Sequence, residues 1–308
     1  MFCVIDTNFL ISLHSLSDLR ALINLNSANF LIPKAVMNEL RGNTKEDVEN
    51  FINANSSRIS LEIVTTGDLQ NFINNLEMNI DSSPQVFLEL KDEFDSIACV
   101  KLSNHCPDVI CHKGAIRSLS NVVSDGNIAM VIRKEAGNIV LEFGDANVCS
   151  LVLKYDSNLL SEDMDIWYIL ELLNFDKKKL MLLSTLFGVV YKDDPIAFMN
   201  SLINLFESET IVLSKDFLSR TYTRVYINRL LTNIEDVISS FSSKIMDKID
   251  IDIELVKKAH ILKKQSRKMI DDFLDIDTWE FDIDTFLVEL KDILKIIGAL
   301  DSEFRALS

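Results

Sequence analysis

Glycine and proline are scarce, 8 and 4 in a chain of 308 residues. That excludes a collagen-like repeat or a loop-rich disordered chain, because neither composition leaves so few turn-forming residues. Five cysteines are too few and too scattered for a disulfide framework in a chain this long, which leads us to expect a protein of the reducing cytoplasm. Positive charge is also short: 31 Lys and Arg stand against 47 Asp and Glu, a net −16. A protein whose whole surface holds nucleic acid through counterion release is therefore excluded, and any such site must be local. No apolar run reaches the ~18 residues of a membrane span. The apolar start, residues 2–13, carries Asp6 and no basic flank, so it is not expected to be a signal peptide. What is abundant is apolar sequence, 48% of the chain, enough for a large core in two domains or one elaborated domain.

Over residues 1–120, short apolar runs alternate with helical periodicity. Phe2-Cys3-Val4-Ile5 reads as a buried strand, Asp6-Thr7-Asn8 as turn and cap, and 9–23 as helix. A second strand, 29–32, leads through Pro33 into a helix over 34–40. Helices over 45–55, 67–78 and 84–102, and strands over 60–64 and 108–111, complete the pattern. It predicts an α/β fold, a parallel sheet sandwiched by helices. Three β-rich runs, 128–133, 138–143 and 148–155, predict a meander over 121–160. The remainder, 161–308, reads as mainly helical with a strand at 210–214. One long amphipathic helix spans 227–245, and two more cover 252–274 and 283–298.

Three carboxylates lie at predicted strand ends or on adjacent helices: Asp6, Glu39 and Asp95. Parallel sheets collect ligands at the carboxyl ends of their strands, above all where strand order reverses. Acids gathered there repel one another unless a cation neutralises them, and an oxygen-only donor set suits Mg²⁺ or Mn²⁺. Such ions activate water and offset charge building on a phosphate. Each acid also has a structural explanation: Asp6 as a helix cap, Glu39 as a solvated helix position, Asp95 as a first-turn charge.

Val4-Ile5-Asp6-Thr7-Asn8, Val36-Met37-Asn38-Glu39-Leu40 and Asp95-Ser96-Ile97-Ala98, in that order and at intervals of 33 and 56 residues, resemble the motifs of the PIN-domain nucleases over about residues 1–120. The resemblance implies a small α/β sandwich whose acids bind one or two divalent cations and cut single-stranded or structured RNA, less often DNA. It also implies a fourth acid after the next strand, in a Thr/Ser-x-Asp context. There the chain runs Val109-Ile110-Cys111-His112-Lys113 instead. Asp92, Asp125 and Asp216 are the candidates for that ligand. The stretch 172–195 faintly resembles the helix-turn-helix element of flap-endonuclease relatives, though an amphipathic helix hairpin explains the same residues.

Lys257, Lys258, Lys263, Lys264, Arg267 and Lys268 form one dense basic stretch, expected on a helix and able to contact successive phosphates. Seven acids between 271 and 284 follow it and could instead pair with it. His105, Cys106, Cys111 and His112 do not make a zinc site, having no second pair at finger-like spacing. The expectation is a metal-dependent endonuclease, RNA ahead of single-stranded or branched DNA, with a protein partner on the C-terminal helices. The alternative is a non-catalytic PIN-like scaffold of a protein or ribonucleoprotein complex.

Overall fold

The computed structural model describes residues 2–25, 28–80, 87–91, 97–100, 129–134, 137–141, 143–207, 221–247, 253–274 and 282–306. The chain forms two compact units, Met1–His14 with Asn26–Met181, and Ser15–Leu25 with Leu182–Ser308. The pattern changes at 121 and 161 both fall inside the first of them.

The first unit opens with strand β1 (Phe2–Ile5) and helix α1 (Thr7–Ser15); short helix α2 (Arg20–Asn24) belongs to the second unit. Strand β2 (Asn29–Pro33), helices α3 (Lys34–Glu39) and α4 (Gly42–Ala54), strand β3 (Ile59–Glu62) and helix α5 (Thr66–Ile80) follow. Four further strands are β4 (Phe87–Lys91), β5 (Ile97–Val100), β6 (Ala129–Lys134) and β7 (Gly137–Leu141). Helix α6 (Phe143–Tyr155), strand β8 (Asn158–Leu160), helix α7 (Met164–Leu172) and strand β9 (Leu180–Met181) close the unit.

Strands β3-β2-β1-β8-β9 form a sheet in which every neighbouring pair is parallel. Cys3, Val4, Ile5, Ile32, Leu159 and Leu160 are wholly buried. Such unbroken apolar runs mark a parallel sheet covered on both faces, as the sequence predicted. A separate antiparallel sheet, β5-β4-β6-β7, comes from the stretch between α5 and α6.

The helix expected over 9–23 is divided into α1 and α2, β8 and β9 have no counterpart in the sequence reading, and two further elements differ in type. The helix expected over 84–102 contains strands β4 and β5, paired antiparallel. Short apolar runs satisfy either period, and the cross-strand partners decide. The third meander strand, 148–155, lies in helix α6, because its run is apolar on every side and not alternating: Val148, Cys149, Leu151 and Val152 are all fully buried. This helix packs against α3, α5, β1 and β2, and residues 146–152 are buried without a break, so no solvent face in that run betrays its period. The strands expected at 108–111 and 210–214 lie outside the described residues.

The second unit adds helices α8 (Leu183–Val190), α9 (Pro195–Glu207), α10 (Thr221–Met246), α11 (Ile253–Leu274) and α12 (Ile283–Ala306). Phe286 joins three of them, edge-on to Phe206 at 5.5 Å and to Phe273 at 5.0 Å between ring centroids, an arrangement that aromatic quadrupoles favour. Among the described residues, no helix is long and apolar enough to cross a membrane.

Candidate active site

The parallel sheet reverses its order at β1. The chain builds β2 and β3 on one side of that strand, then returns to lay β8 and β9 on the other. A reversal of this kind opens a crevice at the strands' carboxyl ends. Asp6 follows β1 directly, and Ser161-Glu162-Asp163 follows β8.

Asp6 does two jobs. Its backbone carbonyl accepts Leu10 N–H at 3.2 Å and starts α1, while its own N–H donates to Leu160 O at 3.1 Å and ties the turn to β8. The side chain points inward, 1% exposed. Oδ1 accepts the Thr7 N–H at 2.6 Å and Oδ2 accepts the Ser161 hydroxyl at 3.0 Å. Ser161 in turn accepts Asp163 N–H at 2.9 Å. Asp163 caps α7, its Oδ1 taking Ile166 N–H at 3.3 Å. Its Oδ2 accepts Asn8 Nδ2 at 3.4 Å, which ties the α7 cap to the start of α1.

Glu39 enters from the last residue of α3. Its Oε2 accepts a short hydrogen bond from the Thr7 hydroxyl, so one residue, Thr7, touches both Asp6 and Glu39. Glu39 also lies against the first turn of α6, where a Cβ on Gly144 would stand 2.1 Å from Oε1. Asp145 occupies that same first turn, four residues before Cys149 and hence on the same helix face. The buried Cys149 thiol is held well above its usual pKa by burial first, then by Asp145, Asp6 and Asp163. The charges of three acids thus act on one buried sulfur.

Burial and the neighbouring charges of Asp163 and Glu39 push the Asp6 carboxyl up to about 7, against the opposing hydrogen bonds from Ser161 and Thr7. Asp6 and Glu39 are joined through the backbone N–H and the hydroxyl of Thr7, and Asp6 reaches the backbone of Asp163 through the Ser161 hydroxyl. Among the described residues, no three His, Cys, Asp or Glu side chains are grouped so as to hold a metal ion.

Of the acids singled out in the sequence, Asp6 and Glu39 are brought together. Asp95, Asp92, Asp125 and Asp216 lie outside the described residues. Sequence reasoning missed Asp145 and Asp163. The second stands in the Ser-x-Asp context after the strand beside β1 and could have been found by searching for that motif beyond residue 120. The first was hidden because α6 was read as a strand and Gly144-Asp145-Ala146-Asn147 as a hairpin.

The basic stretch lies on α11. Lys258 pairs with Glu303 of α12 at 2.8 Å, and Arg267 pairs with Glu235 of α10 and with Asp271 at 3.4 Å. Pairing between neighbouring helices thus accounts for two of the six cations. Lys257, Lys263, Lys264 and Lys268 are exposed.

Compared with protein-family models, with curated proteins and with solved structures, the chain matches none.

Proposed function

We propose that this chain is a divalent-metal-dependent PIN-like nuclease that hydrolyses phosphodiester bonds, in RNA ahead of DNA. The observation that carries this reading is Asp6: a buried carboxylate at the switch point of a parallel sheet, linked through Thr7, whose backbone N–H it accepts and whose hydroxyl donates to Glu39, and through the Ser161 hydroxyl to the backbone N–H of Asp163. Asp145, on the first turn of α6 next to the Gly144 that Glu39 contacts, is the candidate for the fourth acid that the family resemblance implies.

The donor set fits Mg²⁺ or Mn²⁺ in its chemistry. It consists of hard carboxylate oxygens, and the sulfur beside them, Cys149, is kept as a neutral thiol by its raised pKa. The charge that pushes Asp6 upward is what a cation would offset. Asp6, Glu39, Asp145 and Asp163 would hold such an ion, which would supply an activated water and neutralise charge on the phosphate. The chain's own groups orient that set: Thr7 fixes Glu39, Ser161 fixes Asp6, and Asn8 braces Asp163.

The second reading, a non-catalytic scaffold assembling a protein or ribonucleoprotein complex, is favoured by one feature: among the described residues, no three of the acids are gathered so as to hold a metal ion. Manganese binding separates the two. Titration of the wild type with Mn²⁺, followed by electron paramagnetic resonance, should show saturable binding that Asp6→Asn abolishes. Absence of binding in both would favour the scaffold.

A further inference from the structure

A groove of about 740 Å³ opens between α10 and α11, inside the second unit. We infer that it is a binding site for the sugar-phosphate backbone of a single nucleic-acid strand. This deepens the nuclease reading, and the choice of nucleic acid as the ligand rests on that reading.

The cationic side of the groove is built from α11. His260, Lys264 and Lys268 recur every fourth residue, with Lys263 and Arg267 in the adjacent row. Side chains four apart on a helix stand about 5–6 Å from one another. Successive phosphates of an extended strand repeat at a comparable interval. A row of cations along a trough suits a linear polyanion, whereas a compact phosphate needs donors converging from several directions.

Three acids also line the groove, and they define its polarity. Glu235, across on α10, and Asp271, one turn beyond, are both occupied by Arg267. Asp272 lies at the same end of α11 as Asp271. Burial first, and then the charge of Asp272, raises the pKa of Glu289 on α12, and Lys268 opposes the shift. The positive stretch therefore runs from Lys263 to Lys268 and stops at an acidic end. That arrangement limits the row to a few successive phosphates, which suits a short run of one strand. His260 is the only ring among the groove-lining residues, so base stacking contributes little. Binding should be insensitive to sequence and sensitive to salt.

The test uses the full chain in EDTA, so that cleavage cannot interfere, and follows the anisotropy of a fluorescein-labelled oligo(U) from about 50 to about 200 mM salt. The groove variant is Lys263→Gln with Lys264→Gln and Lys268→Gln. The charge-matched control is Lys244→Gln with Lys291→Gln and Lys295→Gln, whose lysines pair elsewhere with Asp193, Glu207 and Asp292. Because the groove variant no longer neutralises the phosphates that these three lysines face, its salt slope should fall by about 2 and its low-salt affinity by about tenfold or more, while the control keeps the wild-type slope. Equal losses in both variants, an unchanged slope in the groove variant, or no binding by the wild type would each overturn the inference. So would tighter wild-type binding of a phosphoserine peptide of equal charge. Groove-dependent binding without cleavage in Mn²⁺ would leave the groove standing and remove the nuclease reading, and cleavage with a groove-independent salt slope would do the reverse.

Discussion

Gly144 and Glu39 are packed so closely that no side chain fits between them: an added Cβ would lie 2.1 Å from one carboxylate oxygen, 2.6 Å from the carboxyl carbon and 2.7 Å from the other oxygen. Gly144 has no positive φ, so its backbone would accept alanine. The three nearest atoms it would meet all belong to Glu39. Gly144→Ala should cost about 1–3 kcal/mol through overpacking. In a Glu39→Ala background the same change should be neutral or stabilising, because the obstacle is gone and unfolded-state entropy falls. Chemical denaturation of the four proteins in the double-mutant cycle measures this coupling. Strict additivity would mean that the two residues do not constrain each other.

Asp6 makes stability depend on pH. With its pKa raised from 3.8 to about 7, the folded state keeps a proton that the unfolded chain releases. Wild-type stability should therefore fall as pH rises through that window and level off above it. Asp6→Asn removes this dependence. The variant should match the wild type near pH 4 and exceed it by up to about 4 kcal/mol near pH 8. Melting curves across this range would show parallel profiles if Asp6 titrated normally.

Asp163 combines a cap with a site charge, and two substitutions separate them. Asparagine caps as well as aspartate, so Asp163→Asn should keep the melting temperature and lose cleavage. Asp163→Ala should lose cleavage and about 1 kcal/mol of stability. Full activity in Asp163→Asn would leave Asp163 as a cap only.

Asp145 and Asp95 compete for one place in the acid set. If Asp145 fills it, Asp145→Asn should lose cleavage while giving up only about 0.3–1 kcal/mol of interaction with the α6 dipole, and Asp95→Asn should cleave as the wild type does. The opposite result would restore the spacing-based choice of Asp95.

The part of the site near the amino terminus was legible because it is local. A buried strand followed by Asp6-Thr7-Asn8 announces a strand-turn-helix by itself, and Glu39 lies one such unit later. The other half is non-local. Asp163 meets Asp6 across 157 positions of sequence because the antiparallel sheet between α5 and α6 separates β8 from the strands it joins. Interval counting fails across an insertion of that size. Asp145 was illegible for a different reason. Residues 146–152 of α6 are all buried, so Val148, Cys149, Leu151 and Val152 show neither period, and a run of β-branched and apolar residues reads as a strand until its neighbours are known. For the same reason β8, three residues long, gave no signal of its own.

The most direct test of the proposed activity is incubation of purified wild type, Asp6→Asn and Asp163→Asn with mixed single-stranded RNA, in Mn²⁺, in Mg²⁺ and in EDTA. If the four acids form a nuclease site, the wild type fragments RNA with either cation and not in EDTA, and both variants are inert while melting no lower than the wild type. Intact RNA under every condition, or cutting that persists in EDTA or in both variants, would show that these acids are not a metal-dependent nuclease site.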